Sequence, residues 1–514
     1  MVAESGPTGS RSIESYWMAS TDQPHHPALV ADDEADVAVV GGGIAGVCTA
    51  WELARLGVRV ALVEARDILA ANTGHTTAKL TALHGMRYGQ LRSTLGDEAS
   101  AWYARSQQDA VDHVIDTASE LRIDCDLERR AAYSYTLSVD QLDTVRGEVE
   151  AARAAGLDAE LVTDTPLPYR IASAVRLRDQ AQFHPRKYLL GLAADLVRRG
   201  GRIYQHTRMT DLEEGRPCLL STASGARLVA DHVVIATGWP VYDRISLFTR
   251  LTPRRELVVA AAIRAEQDPD GMYLTPEEGT RSVRTAPYRD GRRLLITTGE
   301  SFRPGTVDVA DHFSVLEQWI REHFDVESID YRWAAQDYTT TDSVPYVGRF
   351  PGGEGRVWVA TGFGAWGMSN GVMAGRLLSS LITDQPVPPW VDLYDPHRLH
   401  PLVEVPKLAS SGAAVARHFV TDRLGTPGVG QVSDLAPGQG AVIDVDGDLC
   451  GVYRDDSGSL RAVSATCTHQ GCIVGFNNAE RTWDCPCHGS RYSVRGSVLN
   501  GPAIRPLEVR PVHD

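Results

Sequence analysis

The hydrophobic pattern changes period several times along the chain. Asp36-Val-Ala-Val-Val40 is a continuous run of apolar, mostly β-branched residues, and Val58-Arg-Val-Ala-Leu-Val63 is nearly so. Such runs predict strands buried on both faces of a parallel sheet. Between them, Val47–Leu56 places apolar residues at helical spacing and stops at Gly57. Two more buried runs, Asp231–Gly238 and Arg356–Thr361, return to the same sheet, and the second leads into a helix over Gly371–Ile382. Leu91–Leu121 is predicted helical from apolar positions at i, i+3 and i+4. A helix over Asp140–Ala155 interrupts short strands between Tyr133 and Arg178, and Phe183–Tyr188 opens a helix that runs to Arg199. Residues 250–335 alternate strands with turns containing glycine and proline, the pattern of an antiparallel sheet. Pro386–Pro406 reads as a proline-rich linker and Lys407–Leu424 as a connecting helix. From Gly430 onward short strands and Gly/Asp turns take over, with a hairpin over Ala441–Tyr453.

Chemistry enters where the first run feeds into Gly41-Gly-Gly43-Ile-Ala-Gly46. Gly41 and Gly43 let the backbone turn tightly and approach a pyrophosphate, Gly46 lets helix and strand pack closely, and the helix N-terminus faces the phosphate charge. The second strand ends in Glu64, where a carboxylate accepts hydrogen bonds from an adenosine ribose. A dinucleotide site is expected.

A second constellation lies far downstream, in Cys467-Thr-His469-Gln-Gly-Cys472 and Cys485-Pro-Cys487-His488-Gly-Ser490. Each half offers one thiolate and one imidazole, from Cys467 with His469 and from Cys485 with His488, and each leaves one cysteine over. Two cysteines on one iron and two histidines on the other is the ligand set of a Rieske [2Fe-2S] cluster. Such a set also binds zinc, although C-P-C-H-G-S with two cysteines left over is not a usual zinc spacing. The boxes are identified as a Rieske signature and resemble those of Rieske proteins of the cytochrome bc type. That resemblance implies a disulfide between Cys472 and Cys487, hydroxyls of Ser490 and Tyr492 bonded to cluster sulfur, and Gly501-Pro502-Ala503 as a loop covering the cluster. Those bonds stabilise the reduced state, so a potential in the upper Rieske range is expected.

The strand ending in Thr237-Gly238, the later Gly362-x-Gly364-x-x-Gly367-Met368 and the loop Thr341–Gly348 resemble the FAD-binding segments of the glycine/D-amino-acid oxidase superfamily. The likeness spans most of residues 36–390 and implies an α/β fold: a Rossmann-like FAD-binding domain with an inserted antiparallel-sheet, α+β substrate domain. Expected boundaries are a polar lead over 1–35, FAD parts near 36–95, 180–245 and 336–385, and substrate parts near 96–179 and 246–335. A linker and connecting helix over 391–424 and an all-β Rieske domain over 425–514 complete the layout. FAD is expected against Gly41, Gly43, Gly46, Glu64, Arg66, Thr77, Ala78, Lys79, Thr237, Gly238, Gly362, Gly364, Gly367 and Met368. By the same resemblance Ala70–Gly85 runs beside the isoalloxazine. Lys79 is then a candidate catalytic residue at flavin N5, or else a lysine paired with a carboxylate, and Trp366 is a second candidate. His75 invites a covalent histidyl link, but alignment of the glycines puts Ala78 at the attached position. Arg254, Arg255, Tyr288 and Tyr338 are candidate pocket liners.

The 514 residues carry 51 basic and 66 acidic side chains, a net charge of -15, which argues against nucleic acid or an anionic membrane as partner. Cys48, Cys125, Cys218 and Cys450 are scattered, as buried apolar cysteines are. The polar start is neither a signal peptide nor a twin-arginine leader and no run is long enough to span a bilayer, so a cytoplasmic location is expected. Two electron carriers in one chain point to an FAD-dependent oxidoreductase that oxidises an amine or amino-acid C–N bond and delivers electrons through the cluster to an external acceptor. An oxidase returning electrons to oxygen, with a regulatory cluster, and a non-catalytic redox sensor or electron carrier stay open. A Rieske non-haem oxygenase would need H-x₄-H, whereas His397-Arg-Leu-His400 has the wrong spacing.

Overall fold

Because the apolar runs are buried on both faces, they stack side by side. The computed structural model describes residues 13–242, 247–276, 279–401, 404–405, 407–409 and 431–512. Strands Tyr346–Arg349, Val357–Thr361, Arg227–Gly238, Asp33–Val40, Val60–Val63 and Arg202–Tyr204 neighbour one another in that order. All of these pairings are parallel except that of the edge strand Tyr346–Arg349. Helices Ile44–Arg55 and Gly367–Ile382 supply most of the cover on one face. This brings Gly41 and Gly43, Thr237-Gly238 and Gly362–Gly367 to the same carboxyl edge of the parallel strands, where such sheets bind ligands.

A second sheet roofs that edge. Its order is Ser328–Thr340, Leu251–Ile263, Arg293–Phe302, Ser282–Pro287, Gly271–Leu274, Glu128–Thr136, Ser173–Gln182 and Lys79–Leu80. It is antiparallel apart from the parallel pairing of Gly271–Leu274 with Glu128–Thr136. Residues 431–512 form a smaller unit of two four-stranded sheets among the described residues. In one, Gly440–Val445 and Asp448–Arg454 form the expected hairpin, with Asp446 and Gly447 both at positive φ (55° and 90°) as a tight primed turn requires.

Several expectations need correction. The helix over 91–121 is two, Arg87–Leu95 and Asp97–Glu120, broken at Gly96, whose φ of 93° no helical residue adopts. The stretch read as strands alone contains the helix Val309–His323, whose Val309, Phe313, Leu316 and Ile320 are buried. Within the described part of the polar lead, Tyr16–Ala19 is a helical turn, and Trp17 is fully buried with its indole N–H donating to the Thr76 carbonyl (2.6 Å). The described part of the proline-rich linker is anchored, since Tyr394 is buried and Arg398 donates twice to the buried carboxylate of Asp342 (2.7 and 3.0 Å). The connecting helix over Lys407–Leu424 falls largely outside the described residues. Cys48, Cys125, Cys218 and Cys450 are buried and unbridged. Among the described residues no helix is long and apolar enough to cross a membrane.

Candidate redox site

The glycine-rich turn is built by close approach. A Cβ on Gly46 would lie 1.8 Å from the Gly41 carbonyl oxygen, and one on Gly41, at φ 109°, would lie 2.5 Å from that of Ala236, so no larger residue fits either position. The turn opens onto a cleft of about 420 Å³. Gly41, Gly43, Glu64, Arg66, Thr77, Thr237, Gly238, Gly362, Gly364, Gly367 and Met368 line it. Gly46 packs behind the turn, as its role in helix–strand packing requires. Glu64 accepts from the backbone N–H groups of Gly42 (2.8 Å) and Arg66 (2.9 Å). A long cleft with glycine-walled backbone at one end and a helix N-terminus at the other fits a dinucleotide.

Ala78 and Lys79 stand outside the cleft lining. Ala78 is buried at φ 56°. The Lys79 ammonium donates to the hydroxyls of Ser282 and Thr77, not to a carboxylate. Burial, with the nearby Arg284 cation, pushes this amine down to about 7, while Glu256 opposes the shift. Trp366 also stands outside the lining and stacks on His84, with ring centroids 4.2 Å apart. Strand alternation separates the paired arginines: Arg254, Glu256 and Val258 face the cleft, and Arg255 points the other way. Tyr338 lines the cleft, whereas Tyr288 donates to Asp330 (2.7 Å).

Motif reading missed Arg87, Glu256 and Asp337, all of which line the cleft. Asp337 sits where the roof meets the late glycine loop, accepting from the N–H groups of Tyr338 (2.7 Å) and Ala365 (2.6 Å). Burial raises its carboxyl to about 6 even so.

The two Cys/His loops are built alike because each repeats C-x₃-G. Gly471 and Gly489, at φ 76° and 79°, donate their N–H to the carbonyls of Cys467 and Cys485 (both 3.0 Å). Each cysteine N–H then donates across its loop, to Cys472 and Ser490 (both 2.8 Å). The loops bring together the buried Cys467 and Cys485 and the rings of His469 and His488, whose centroids are 4.9 Å apart. Cys472 and Cys487 are joined by a disulfide that ties one loop to the other. The Cys485 thiol, then the Tyr492 hydroxyl 3.1 Å away, hold the Cys467 thiol down to about 6, while the shared proton raises Cys485. Burial pushes His488 down to about 4. A thiolate and a neutral imidazole are the ligand forms, so the donor set fits a Cys₂His₂ metal centre. Ser490 is also within hydrogen-bond reach of Cys467 and accepts from the Ala503 N–H (3.1 Å), which holds the proline loop over the site.

The two sites share a wall. Leu499, Asn500, Gly501 and Ile504 of the smaller unit line the dinucleotide cleft. Trp239, directly after Thr237-Gly238, is buried with its ring 5.8 Å from that of His488 and 6.2 Å from that of His469. Gln336 donates to the Gly489 carbonyl (2.8 Å) and Tyr338 to that of Gly501 (3.3 Å). Arg255, fully buried, meets Glu480, which also faces Arg491 at 3.1 Å. His488 is therefore only 8% exposed.

Residues 36–381 match the family model described as FAD dependent oxidoreductase, and residues 426–511 match the Rieske [2Fe-2S] domain. The chain is 37% identical over 497 residues, 96% of this chain and 97% of the relative, to the putative Rieske 2Fe-2S iron-sulfur protein YhfW of Bacillus subtilis (strain 168). Among solved structures it resembles glycine oxidase from Geobacillus kaustophilus, with TM-score 0.56, 20% identity, and 69% of this chain and 96% of that one covered. It likewise resembles L-proline dehydrogenase from P. horikoshii, with TM-score 0.59, 20% identity, and 71% and 98% covered. The two domains imply FAD and a [2Fe-2S] cluster as cofactors, which the cleft and the Cys/His loops fit. The chain is an enzyme of the FAD-dependent oxidoreductase (DAO) family that carries a Rieske [2Fe-2S] domain after its flavin domain.

Proposed function

We propose that the protein oxidises the C–N bond of a small amine or amino acid and passes the electrons internally, through the Rieske cluster, to an external acceptor. The observation that carries this reading is Trp239: the strand end that lines the FAD cleft continues directly into the ring packed on both cluster histidines. FAD, when bound, accepts the two electrons of a hydride, and the cluster carries them singly. We take FAD to lie along the glycine turn, Glu64, Thr237-Gly238 and the Gly362–Met368 loop, with Cys467, His469, Cys485 and His488 as cluster ligands. Docking fixes the separation of the two centres, because Gln336, Tyr338 and Arg255 each reach across to the smaller unit.

Glu256 and Asp337 offer carboxylates in the cleft, and Arg87 and Arg254 offer cations. Together they suit a zwitterionic or cationic substrate. Asp337, raised to about 6, is fitted to hold the ammonium or to take the proton that must leave the amine before its carbon is oxidised. The names of the two structural neighbours, a glycine oxidase and an L-proline dehydrogenase, point to the same substrate class. The test is an anaerobic screen of amines and amino acids against holoprotein. At least one should bleach the flavin in a single turnover, and failure of the whole panel while dithionite bleaches it would overturn the reading in favour of a redox carrier.

A further inference from the structure

Beside the wall between the sites lies a separate basin of about 440 Å³ that opens next to the flavin cleft, with which it shares Arg254 and Thr339. Among the described residues its charged lining side chains are Arg254, Arg303 and Lys407, of which Lys407 already has a partner, its other polar residues are serine and threonine, and none is a carboxylate. Some of this charge is already answered. Arg254 meets the Ser301 hydroxyl and stands 3.8 Å from Glu256. Glu404, which accepts from Thr341 at 3.3 Å, is paired with Arg250. Arg303 is different. Among the described residues it forms no ion pair, it is half-buried, and its Nη2 makes only a long contact of 3.5 Å to the Cys487 carbonyl. That carbonyl belongs to the residue directly before His488 and two after Cys485, so the guanidinium sits against the second cluster loop. A partly desolvated cation without a counter-ion is costly unless an anion answers it.

We infer that the basin lined by Thr252, Arg254, Ser301, Arg303, Thr339 and Lys407 binds an oxyanion, a carboxylate or phosphate, and that this anion tunes the reduction potential of the neighbouring cluster through Arg303. Reduction adds one negative charge to the cluster, which the Arg303 cation stabilises. An anion seated on Arg303 cancels that help and lowers the potential. By linkage, reduction of the cluster weakens the anion's binding by the same factor. The site would thus slow electron delivery when the anion is abundant. The inference requires the cluster but not the amine reading above.

The test uses holoprotein with inorganic phosphate and, separately, citrate, following the cluster's reduced signal in a redox titration and binding by calorimetry. A saturating probe should shift the wild-type reduction equilibrium about tenfold toward the oxidised form, which is 59 mV for a one-electron couple. Arg303→Met should show a comparable shift with no probe present and no further response to either probe, whereas Arg303→Lys should restore most of the potential. Lys407→Gln, which does not touch the cluster loops, should weaken probe binding while leaving the probe-free potential unchanged. If neither probe shifts the wild-type potential, or if Arg303→Met and Lys407→Gln both bind the probes as tightly as wild type, the inference fails.

Discussion

Replacing Glu480 by glutamine removes the carboxylate that joins the two halves, and its cost can be worked from the contacts. Glu480 accepts from Arg255 across the interface and from Arg491 and Asn477 within its own unit. Arg491 keeps Asp484 at 3.0 Å, so it is not orphaned. Among the described residues Arg255 then keeps a hydrogen bond to Gln336, at 3.4 Å, and the more distant attraction of the Asp484 carboxylate, but no directly paired anion, and its side chain is 1% exposed. Burial already holds this guanidinium below its ordinary range, with Arg491 adding repulsion. Breaking a buried pair on one side costs about 3–5 kcal/mol. Taking about 3 kcal/mol because Gln336 remains, the undocked population should rise about 150-fold, at 1.4 kcal/mol per decade. Amide exchange reads this locally. The Ala310 N–H donates to Asn478 of the other unit (3.1 Å), so docking protects it. In Glu480→Gln its exchange should accelerate about as much, while amides of Val37–Val40 in the parallel sheet stay unchanged. The double variant Arg255→Met/Glu480→Met should lose less than the two single changes together. Unchanged exchange at Ala310, or equal acceleration in both places, would show that Glu480 does not hold the two units together.

Other consequences are direct. Gly46→Ala forces a methyl to within 1.8 Å of the Gly41 carbonyl; purified variant should contain iron at one cluster per chain with little flavin, measured by flavin and iron stoichiometry. Burial, with the nearby Arg284 cation, lowers the Lys79 amine to about 7 in the folded state from the ordinary 10.5, so the folded state binds fewer protons between those values and stability rises with pH across that window. Lys79→Met should accordingly be the more stable protein near pH 7, with the gap closing toward pH 10.5 in denaturant titrations. Tyr492→Phe removes the hydroxyl 3.1 Å from the Cys467 sulfur; the cluster potential should fall in a redox titration, with the rate of substrate bleaching of the flavin unaltered.

How far the chain can be read without its structure depends on where the contacts come from. The glycine turn and the Cys/His boxes are legible because each packs its chemistry into a few consecutive residues whose spacing the backbone geometry demands. The hairpin at Asp446-Gly447 is legible for the same reason. Asp337, Glu256 and Arg87 are not, since nothing local distinguishes a cleft carboxylate from a solvated one, and only sheet pairing brings Glu256 opposite Ala335 and beside Asp337. Arg254 and Arg255 look equivalent in sequence, and strand alternation sends them to different sites. Trp17 was hidden in a polar segment whose anchor, Thr76, lies far along the chain. The helix Val309–His323 does carry a helical apolar stripe, which the surrounding strand pattern obscured. The shared wall was wholly illegible, because Trp239, Gln336 and Tyr338 meet residues 469–501 only through tertiary docking.

The central claim, that electrons pass from the flavin cleft to the cluster across Trp239, is tested most directly by anaerobic stopped-flow mixing of holoprotein with a bleaching substrate, following flavin and cluster absorbance separately in wild type and Trp239→Leu. Flavin should bleach first, cluster reduction should follow, and Trp239→Leu should slow only the second phase. A cluster that stays oxidised after the flavin is fully reduced, or one that is reduced before it, would rule out electron flow from flavin to cluster.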